Sequence, residues 1–215
     1  MDTDAVHAAT AAERRALADL LEGLSPQQWA RPSLCAGWDV RTVVGHLVGA
    51  LDPALLPLLV ALVRCGGRLH RANDALAREA ALHPPAELVR ALRERAEERS
   101  SPPVTGPRAP LADVLVHTAD IARPLRLPHD PPTAHVRPAL DLVTTGRPLG
   151  FVARGRLRGL RLVATDAGWS WGTGAEVSGR GIDLLVAACG RPAALASLGG
   201  PGAAALADRV VAARS

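Results

Sequence analysis

One apolar segment in the middle of the chain carries a stripe of titratable side chains, and this combination limits the folds open to the sequence. Residues 111–125, LADVLVHTADIARPL, predict a helix made mainly of leucine, valine, isoleucine and alanine that also holds Asp113, His117 and Asp120. At 100° per residue, these three side chains lie within about 60° of one another on the helix surface. Because buried carboxylates and imidazoles are costly unless they are paired or bind metal, the stripe predicts a polar site inside a helical bundle.

Asp113 and His117 are spaced i, i+4, so both can ligate the same ion, and a third ligand is then expected from another helix. His46 lies in a second predicted helix, for which Asp39 is a plausible N-cap. The face around His46 is otherwise small or apolar, which would let a neighbouring helix approach; it comprises Thr42, Val43, Gly49 and Ala50. A lone histidine there also fits a satisfied core residue, so local chemistry leaves a metal site and simple packing both open.

The hydrophobic pattern changes about two-thirds of the way along the chain. Up to about residue 145 it has helical periodicity and predicts four or five helices, with a capping-box pattern of Thr10 and Glu13 at the start of the first. Beyond that point, RGRLRGLRLVATD and WSWGTGAEVSG alternate as strands do, with GTG as a hairpin turn, and two helices follow. The sequence therefore predicts an α+β fold, with a helical domain at 1–145 and a small α/β domain at 146–215.

Composition argues against a nucleic-acid partner. The formal net charge is +4, but all 25 basic residues are arginine and the chain has no tyrosine, a bias typical of a GC-rich genome. Aromatic residues make up 2% of the chain, too few for a base-stacking surface. Arg154, Arg156 and Arg158 alternate in the RGRLRGLR stretch, and we expect them on a solvated strand face.

Cysteine usage and the hydropathy pattern favour a cytoplasmic protein. Cys35, Cys65 and Cys189 are odd in number and form no C-x-x-C pair, which fits reduced thiols. The N-terminus has no basic-then-apolar signal pattern. Residues 43–63 are mostly apolar but contain His46, Asp52, Pro53 and Pro57, so they predict a kinked, buried helix pair rather than a membrane span.

Three stretches of the sequence resemble the signatures of the mycothiol-dependent maleylpyruvate isomerase-like family, part of the DinB-like metalloenzyme superfamily. They are LSPQQWARPSLCAGWDVRTVVGHLVGAL, PLADVLVHTADIARPL and DAGWSWGTGAEVSGRGIDLLVAACGRPAAL. The resemblance covers nearly the whole chain, although residues 51–105 match only in helical character. It implies an N-terminal DinB-like four-helix bundle with a divalent metal, usually zinc, followed by a small α/β domain resembling sterol carrier proteins.

The resemblance also implies a ligand set and a chemistry. The family's metal ligands correspond to His46, Asp113 and His117, and the isomerase has glutamate where this chain has Asp113. The thiol that such a metal activates is mycothiol, which attacks a small-molecule electrophile and leads to cis–trans isomerisation or S-transfer. Arg191 corresponds to an arginine that the family is thought to use in catalysis. A monomer or a homodimer is expected.

Other polar residues near these motifs have candidate roles. Arg123 could bind an anionic acceptor, and Asp120 could orient a ligand imidazole, although each is also compatible with a structural role. Cys35 has nothing basic spaced with it and is expected to be a buried, inert thiol. Trp38 is expected to pack at the entry to the second helix.

Two other functions are open to this sequence. A non-catalytic, metal-containing protein could hold a hydrophobic small molecule against the apolar segment 51–63. This segment could instead be an oligomer contact, but we favour the pocket wall. A metal hydrolase or a non-haem iron oxygenase could use the same three ligands, although such oxygenase sites normally lie on a β-barrel.

Overall fold

The computed structural model describes residues 1–52, 55–99, 106–145 and 150–212. A series of helices precedes a small three-stranded sheet and further helices, so the predicted α+β class is confirmed. The helices before the sheet are α1 Thr3–Glu22, α2 Pro26–Trp29, α3 Val40–Gly49, α4 Leu55–Arg64, α5 Leu69–Ala80, α6 Pro85–Glu94, α7 Arg108–Leu125 and α8 Thr133–Thr145. The strands and later elements are β1 Leu160–Ala164, β2 Trp169–Trp171, β3 Ala175–Gly179, α9 Gly181–Ala188, a 3-10 helix Pro192–Ser197 and α10 Ala203–Ala212.

Helix α3 begins where the sequence predicts it. The Oδ1 of Asp39 accepts a hydrogen bond from the backbone N–H of Thr42 at 2.8 Å, which satisfies a donor that the first turn would otherwise leave unpaired. Helix α1 differs from the prediction because it starts at Thr3, so Thr10 and Glu13 lie buried inside the helix and form no cap. Alanine-rich sequence continues the helix N-terminally, and Asp2 accepts from the N–H of Ala5 at 2.8 Å.

Helix α3 packs closely against α5, and one glycine allows this approach. A Cβ atom added at Gly45 would lie 2.6 Å from the carbonyl oxygen of Ala77 and 2.8 Å from the backbone nitrogen of Ala81. A Cβ at Gly49 would meet nothing within 4 Å. The small face predicted to admit a neighbouring helix is therefore centred on Gly45 and not on Gly49.

The chain divides into two compact units, each with its own buried core. The first comprises Met1–Val6, Pro102–Ala119 and His129–Ser215, and its core includes Leu111, Leu115, Leu140, Leu160 and Leu184. The second comprises His7–Ser101 and Asp120–Pro128, and its core includes Leu17, Leu21, Val43, Leu88 and Leu92. The predicted domain boundary near residue 145 and the likeness to sterol carrier proteins stay predictions.

The sheet has the order β2-β1-β3, which corrects the predicted hairpin. Strand β1 pairs antiparallel with β2 and parallel with β3, so β2 and β3 lie on opposite edges. The GTG segment therefore passes the start of β1 instead of forming a hairpin turn. Gly174 has a φ of +132°, and a Cβ atom there would lie 2.2 Å from the carbonyl oxygen of Gly159. Glycine is needed at Gly174 because any side chain would meet that backbone.

The three arginines predicted to share a strand face do not do so. Residues 154–159 form turns before β1, and Arg156 is only 9% exposed. Its Nη1 donates to the carbonyl oxygen of Ala188 at 2.9 Å. Burial lowers the pKa of the Arg156 guanidinium from its ordinary value, and the charge of Arg191 adds to this effect.

Helix α4 differs from the expected buried helix pair. Leu56, Leu59 and Val63 are 68%, 55% and 82% exposed, respectively, so one face of α4 is apolar and open. Pro53, one of the two prolines used to predict the kink, lies outside the described residues. Across the described ranges, we find no helix with both the length and the apolarity needed to cross a membrane.

Candidate metal centre

Helix α7 presents the two ligands predicted from the central stripe. The Nε2 of His117 and the Oδ1 of Asp113 are 3.4 Å apart, and their side chains are 10% and 24% exposed. Leu111, Val114 and Leu115 on the same helix are at most 1% exposed, so the two polar groups lie among buried apolar ones. The i, i+4 spacing therefore gives the expected local geometry, with both groups oriented to share an ion or a proton.

His46 lies in the last turn of α3 and is half-buried. Its imidazole lies beside the indole of Trp38, with ring centroids 5.4 Å apart and planes tilted by 46°. Trp38 was expected only to pack at the helix entry. Its ring in fact contacts the candidate ligand directly.

The three predicted ligands come together. One ligand atom each from His46, Asp113 and His117 lies within 4.8 Å of the other two. Two imidazole nitrogens and one carboxylate oxygen form the donor set of many catalytic zinc sites, in which a fourth position stays open for water or substrate. The residues present therefore fit a divalent metal such as zinc.

A second group of potential ligands shares His117 and includes Cys35, which the sequence predicted to be an inert thiol. Ligand atoms of Cys35, His117 and Asp120 also lie within 4.8 Å of one another. Asp120 is fully buried, and its Oδ2 accepts a hydrogen bond from the Sγ of Cys35 at 3.0 Å. Because 85 positions separate the two residues, no local spacing could have revealed this pairing.

The loop 33–39 is attached to helix α7 as well as to α3. The backbone N–H of Leu34 donates to the carbonyl oxygen of Asp120 at 3.1 Å, next to the bond from the Cys35 thiol. Asp120 thus holds this loop through both its backbone and its side chain. Its predicted role in orienting a ligand imidazole stays a prediction.

Helix α5 holds the other end of the same loop. The Nε1 of Trp38 donates to Asp74 Oδ1 at 2.7 Å, and the Nε of Arg78 lies 3.0 and 3.1 Å from the two oxygens of that carboxylate. Arg78 also donates to the carbonyl oxygen of Gly37 at 2.9 Å. The hydrogen bond from Arg78, followed by that from Trp38, lowers the pKa of the Asp74 carboxyl, so this group stays ionised near neutral pH.

The two candidate arginines lie in different parts of the chain. Arg191 precedes the 3-10 helix, is half-buried and donates from Nη1 to the carbonyl oxygen of Cys189 at 2.8 Å. Arg123 lies in the last turn of α7 and is also half-buried. Binding of an anionic acceptor by either arginine stays a prediction.

Comparison with known proteins gives one family match and two structural matches. Residues 10–101 match the family profile of the mycothiol maleylpyruvate isomerase N-terminal domain. No curated protein sequence matches the chain. Two solved structures match its fold, and each alignment covers 94% of both chains: the crystal structure of the mycothiol-dependent maleylpyruvate isomerase, at 13% identity and a TM-score of 0.62, and that of a histidine-to-alanine mutant, at 12% and 0.64.

These identities are low enough that the two structures establish the fold alone. The sequence match and the fold match nevertheless point to the same group of proteins. The predicted family resemblance is therefore confirmed over residues 10–101, which match the mycothiol maleylpyruvate isomerase N-terminal domain.

Proposed function

We propose that this protein is a metal-dependent enzyme that uses mycothiol to attack an electrophilic small molecule, with thiol-assisted cis–trans isomerisation or S-transfer as the outcome. The observation that carries the proposal is the convergence of His46, Asp113 and His117 within 4.8 Å. It occurs in a chain whose residues 10–101 match the domain of a mycothiol-dependent isomerase. The solved structures of the same fold carry the name of that isomerase.

The metal would be held by the two imidazoles and the Asp113 carboxylate. Zinc is the divalent ion that best suits two nitrogen donors and one oxygen donor at a tetrahedral site. When bound, it would supply a positive charge that lowers the pKa of a thiol at the open position, because the cation stabilises thiolate more than thiol. Asp113 would be bound as the carboxylate, and both histidines would be neutral at the ligating nitrogens.

The remaining residues have roles around these ligands. Asp120 would orient the His117 imidazole from the same helix, one turn further on. Arg191 and Arg123 are the candidates to bind the carboxylate of an anionic acceptor, because a guanidinium pairs with a carboxylate through two hydrogen bonds. The apolar neighbours on α7 would keep water from the reacting groups.

Metal content gives the first test. Protein purified without chelator should contain about one divalent metal per chain, as expected for a single three-ligand site. The His46→Ala, His117→Ala double mutant should lose that metal while its circular dichroism stays close to that of the wild type. Full metal occupancy in the double mutant would show that these two residues are not metal ligands.

Thiol dependence gives the second test. Metal-replete protein should turn over maleylpyruvate, or a related unsaturated acid, only when mycothiol is added. The pH dependence of the rate should report a thiol pKa below the ordinary cysteine value of about 8.5. Equal turnover with and without thiol would rule out thiolate attack and favour hydrolase or oxygenase chemistry at the same ligands. Metal binding without any turnover would favour a non-catalytic binder.

A further inference from the structure

We propose that Trp38 is a positioning residue for His46: fixed by Asp74 and Arg78, its indole holds the imidazole in the orientation needed to bind metal. This inference deepens the proposed function and rests on it, because it takes His46 as a ligand. It concerns a contact made by residues of α3, α5 and the loop 33–39, which all belong to one compact unit.

The contact between the two rings is close enough to restrict the imidazole. The centroids of Trp38 and His46 are 5.4 Å apart with a tilt of 46°, within the range in which aromatic rings attract each other. The side-chain torsion next to a histidine ring has a broad energy minimum, so the ring turns easily unless a neighbour stops it. Without such a neighbour, metal binding would have to order the ring at an entropic cost.

The indole itself is held at its polar edge. Its single N–H donor is used in the 2.7 Å bond to Asp74, and the carboxylate is in turn held by Arg78 from one helical turn further along α5. Because Asp74 is ionised, the bond from Trp38 is charge-assisted and stronger than a neutral one. The ring therefore cannot turn away from His46 without breaking this bond.

The backbone of Trp38 is held as well. Its N–H donates to the carbonyl oxygen of Cys35 at 3.0 Å, and its own carbonyl oxygen accepts from the Ser33 hydroxyl at 2.9 Å and from the Ser33 N–H at 3.0 Å. Arg78 adds the bond to the carbonyl oxygen of Gly37. Ring and backbone are thus both fixed before any metal binds, which is the property required of a residue that orients a ligand.

The test compares variants that remove the ring with variants that only loosen it. Trp38→Leu removes the aromatic ring, Trp38→Phe keeps a ring without its N–H, and Asp74→Asn keeps an acceptor but loses the charge that pairs with Arg78. Trp29→Phe is the matched control, because Trp29 is a 6% exposed tryptophan in α2 of the same unit. Each protein is loaded with Co²⁺, and its visible spectrum and the rate of Co²⁺ release to a chelator are measured.

We expect Trp38→Leu to release Co²⁺ about tenfold faster than the wild type, as is typical when a residue that orients a ligand is lost. Its ligand-field bands should also shift. Trp38→Phe and Asp74→Asn should show smaller changes in the same direction, whereas Trp29→Phe should keep both the spectrum and the release rate even if its melting temperature falls. If Trp38→Leu fails to fold, the two milder variants decide the outcome.

Two results would overturn the inference, and they differ in what else they overturn. If His46→Ala loses Co²⁺ but the folded Trp38 and Asp74 variants release it at the wild-type rate, the positioning role is wrong and the metal site stands. If the wild type binds no Co²⁺, or His46→Ala binds it as tightly as the wild type, His46 is not a ligand. The proposed function then fails together with the inference.

Discussion

At the scale of single residues, Asp113 is the most informative position in the candidate centre. The family resemblance implies glutamate there, and aspartate is one methylene shorter. Its Oδ1 nevertheless lies 3.4 Å from His117 Nε2, and one of its carboxylate oxygens lies within 4.8 Å of a His46 nitrogen. The shorter carboxylate therefore still reaches the other two donors.

Substitutions at Asp113 should distinguish the effect of losing the carboxylate from the effect of changing the length of the side chain. Asp113→Glu should be the mildest ligand change, because it keeps the charge and restores the family's side chain. Asp113→Ala should weaken metal binding by at least about tenfold and abolish turnover, because it removes one of three donors. Affinity is measured by competition with a chromophoric chelator. Asp141→Asn is the control, because Asp141 accepts a hydrogen bond from Trp169 in the same unit and belongs to neither ligand group.

Wild-type metal affinity in Asp113→Ala would exclude this carboxylate from the site. A loss of affinity in Asp141→Asn equal to that in Asp113→Ala would instead indicate a general effect on folding.

At the scale of secondary-structure elements, the close approach of α3 to α5 decides where His46 and Trp38 lie. Gly45 precedes His46 directly and allows the α5 backbone to come within van der Waals contact. The same α5 carries Asp74 and Arg78, which hold Trp38. The position of α3 on α5 therefore affects both the candidate ligand and its neighbour.

Two glycines of α3 provide a matched pair to test this contact. Gly45→Ala should destabilise the protein by about 1–3 kcal/mol, because the added methyl group would overlap backbone atoms of α5 that have little room to move. Gly49→Ala should change stability by no more than about 1 kcal/mol, because its methyl group meets open space and alanine favours helix. Urea unfolding midpoints give the comparison, and equal midpoints for the two variants would contradict the close approach.

Gly45→Ala should also weaken metal binding, because any shift of α3 moves His46 with it. Gly49→Ala should leave metal binding unchanged.

At the scale of the whole molecule, the apolar face of α4 is the feature whose role the sequence did not decide. Leu56, Leu59 and Val63 are exposed in the described structure, although the sequence favoured a pocket wall for residues 51–63. The side chain of Leu55 lies outside the described residues. The pocket wall and the oligomer contact make opposite predictions for the other leucines.

If the face lines a substrate pocket, Leu56→Ser combined with Leu59→Ser should raise KM and leave the molecular mass in solution unchanged. Light scattering and steady-state kinetics measure the two quantities. Val211→Ser is the control, since Val211 is a 55% exposed apolar side chain on α10. A halved mass with unchanged kinetics would show that the pocket-wall interpretation is wrong and that the face joins two copies.

The sequence by itself determined features that depend on neighbouring residues. The i, i+4 pair Asp113 and His117 and the Asp39 cap follow from spacing and backbone preferences within a few positions. The helix-to-sheet change was predictable for the same reason, because periodicity is a local property. The predicted start of α1 was wrong, because a capping pattern inside an alanine-rich helix looks the same in the sequence as one at the end of a helix.

The tertiary structure decided the features that join distant segments. The bond between Cys35 and Asp120 spans 85 positions and that between Trp38 and Asp74 spans 36, so neither leaves a periodic trace in the sequence. The order of the strands likewise depends on which edge of β1 each neighbour pairs with, and alternation is the same on both edges. Local spacing fixes which side chains share a face, but only packing of the helices and strands determines which faces meet.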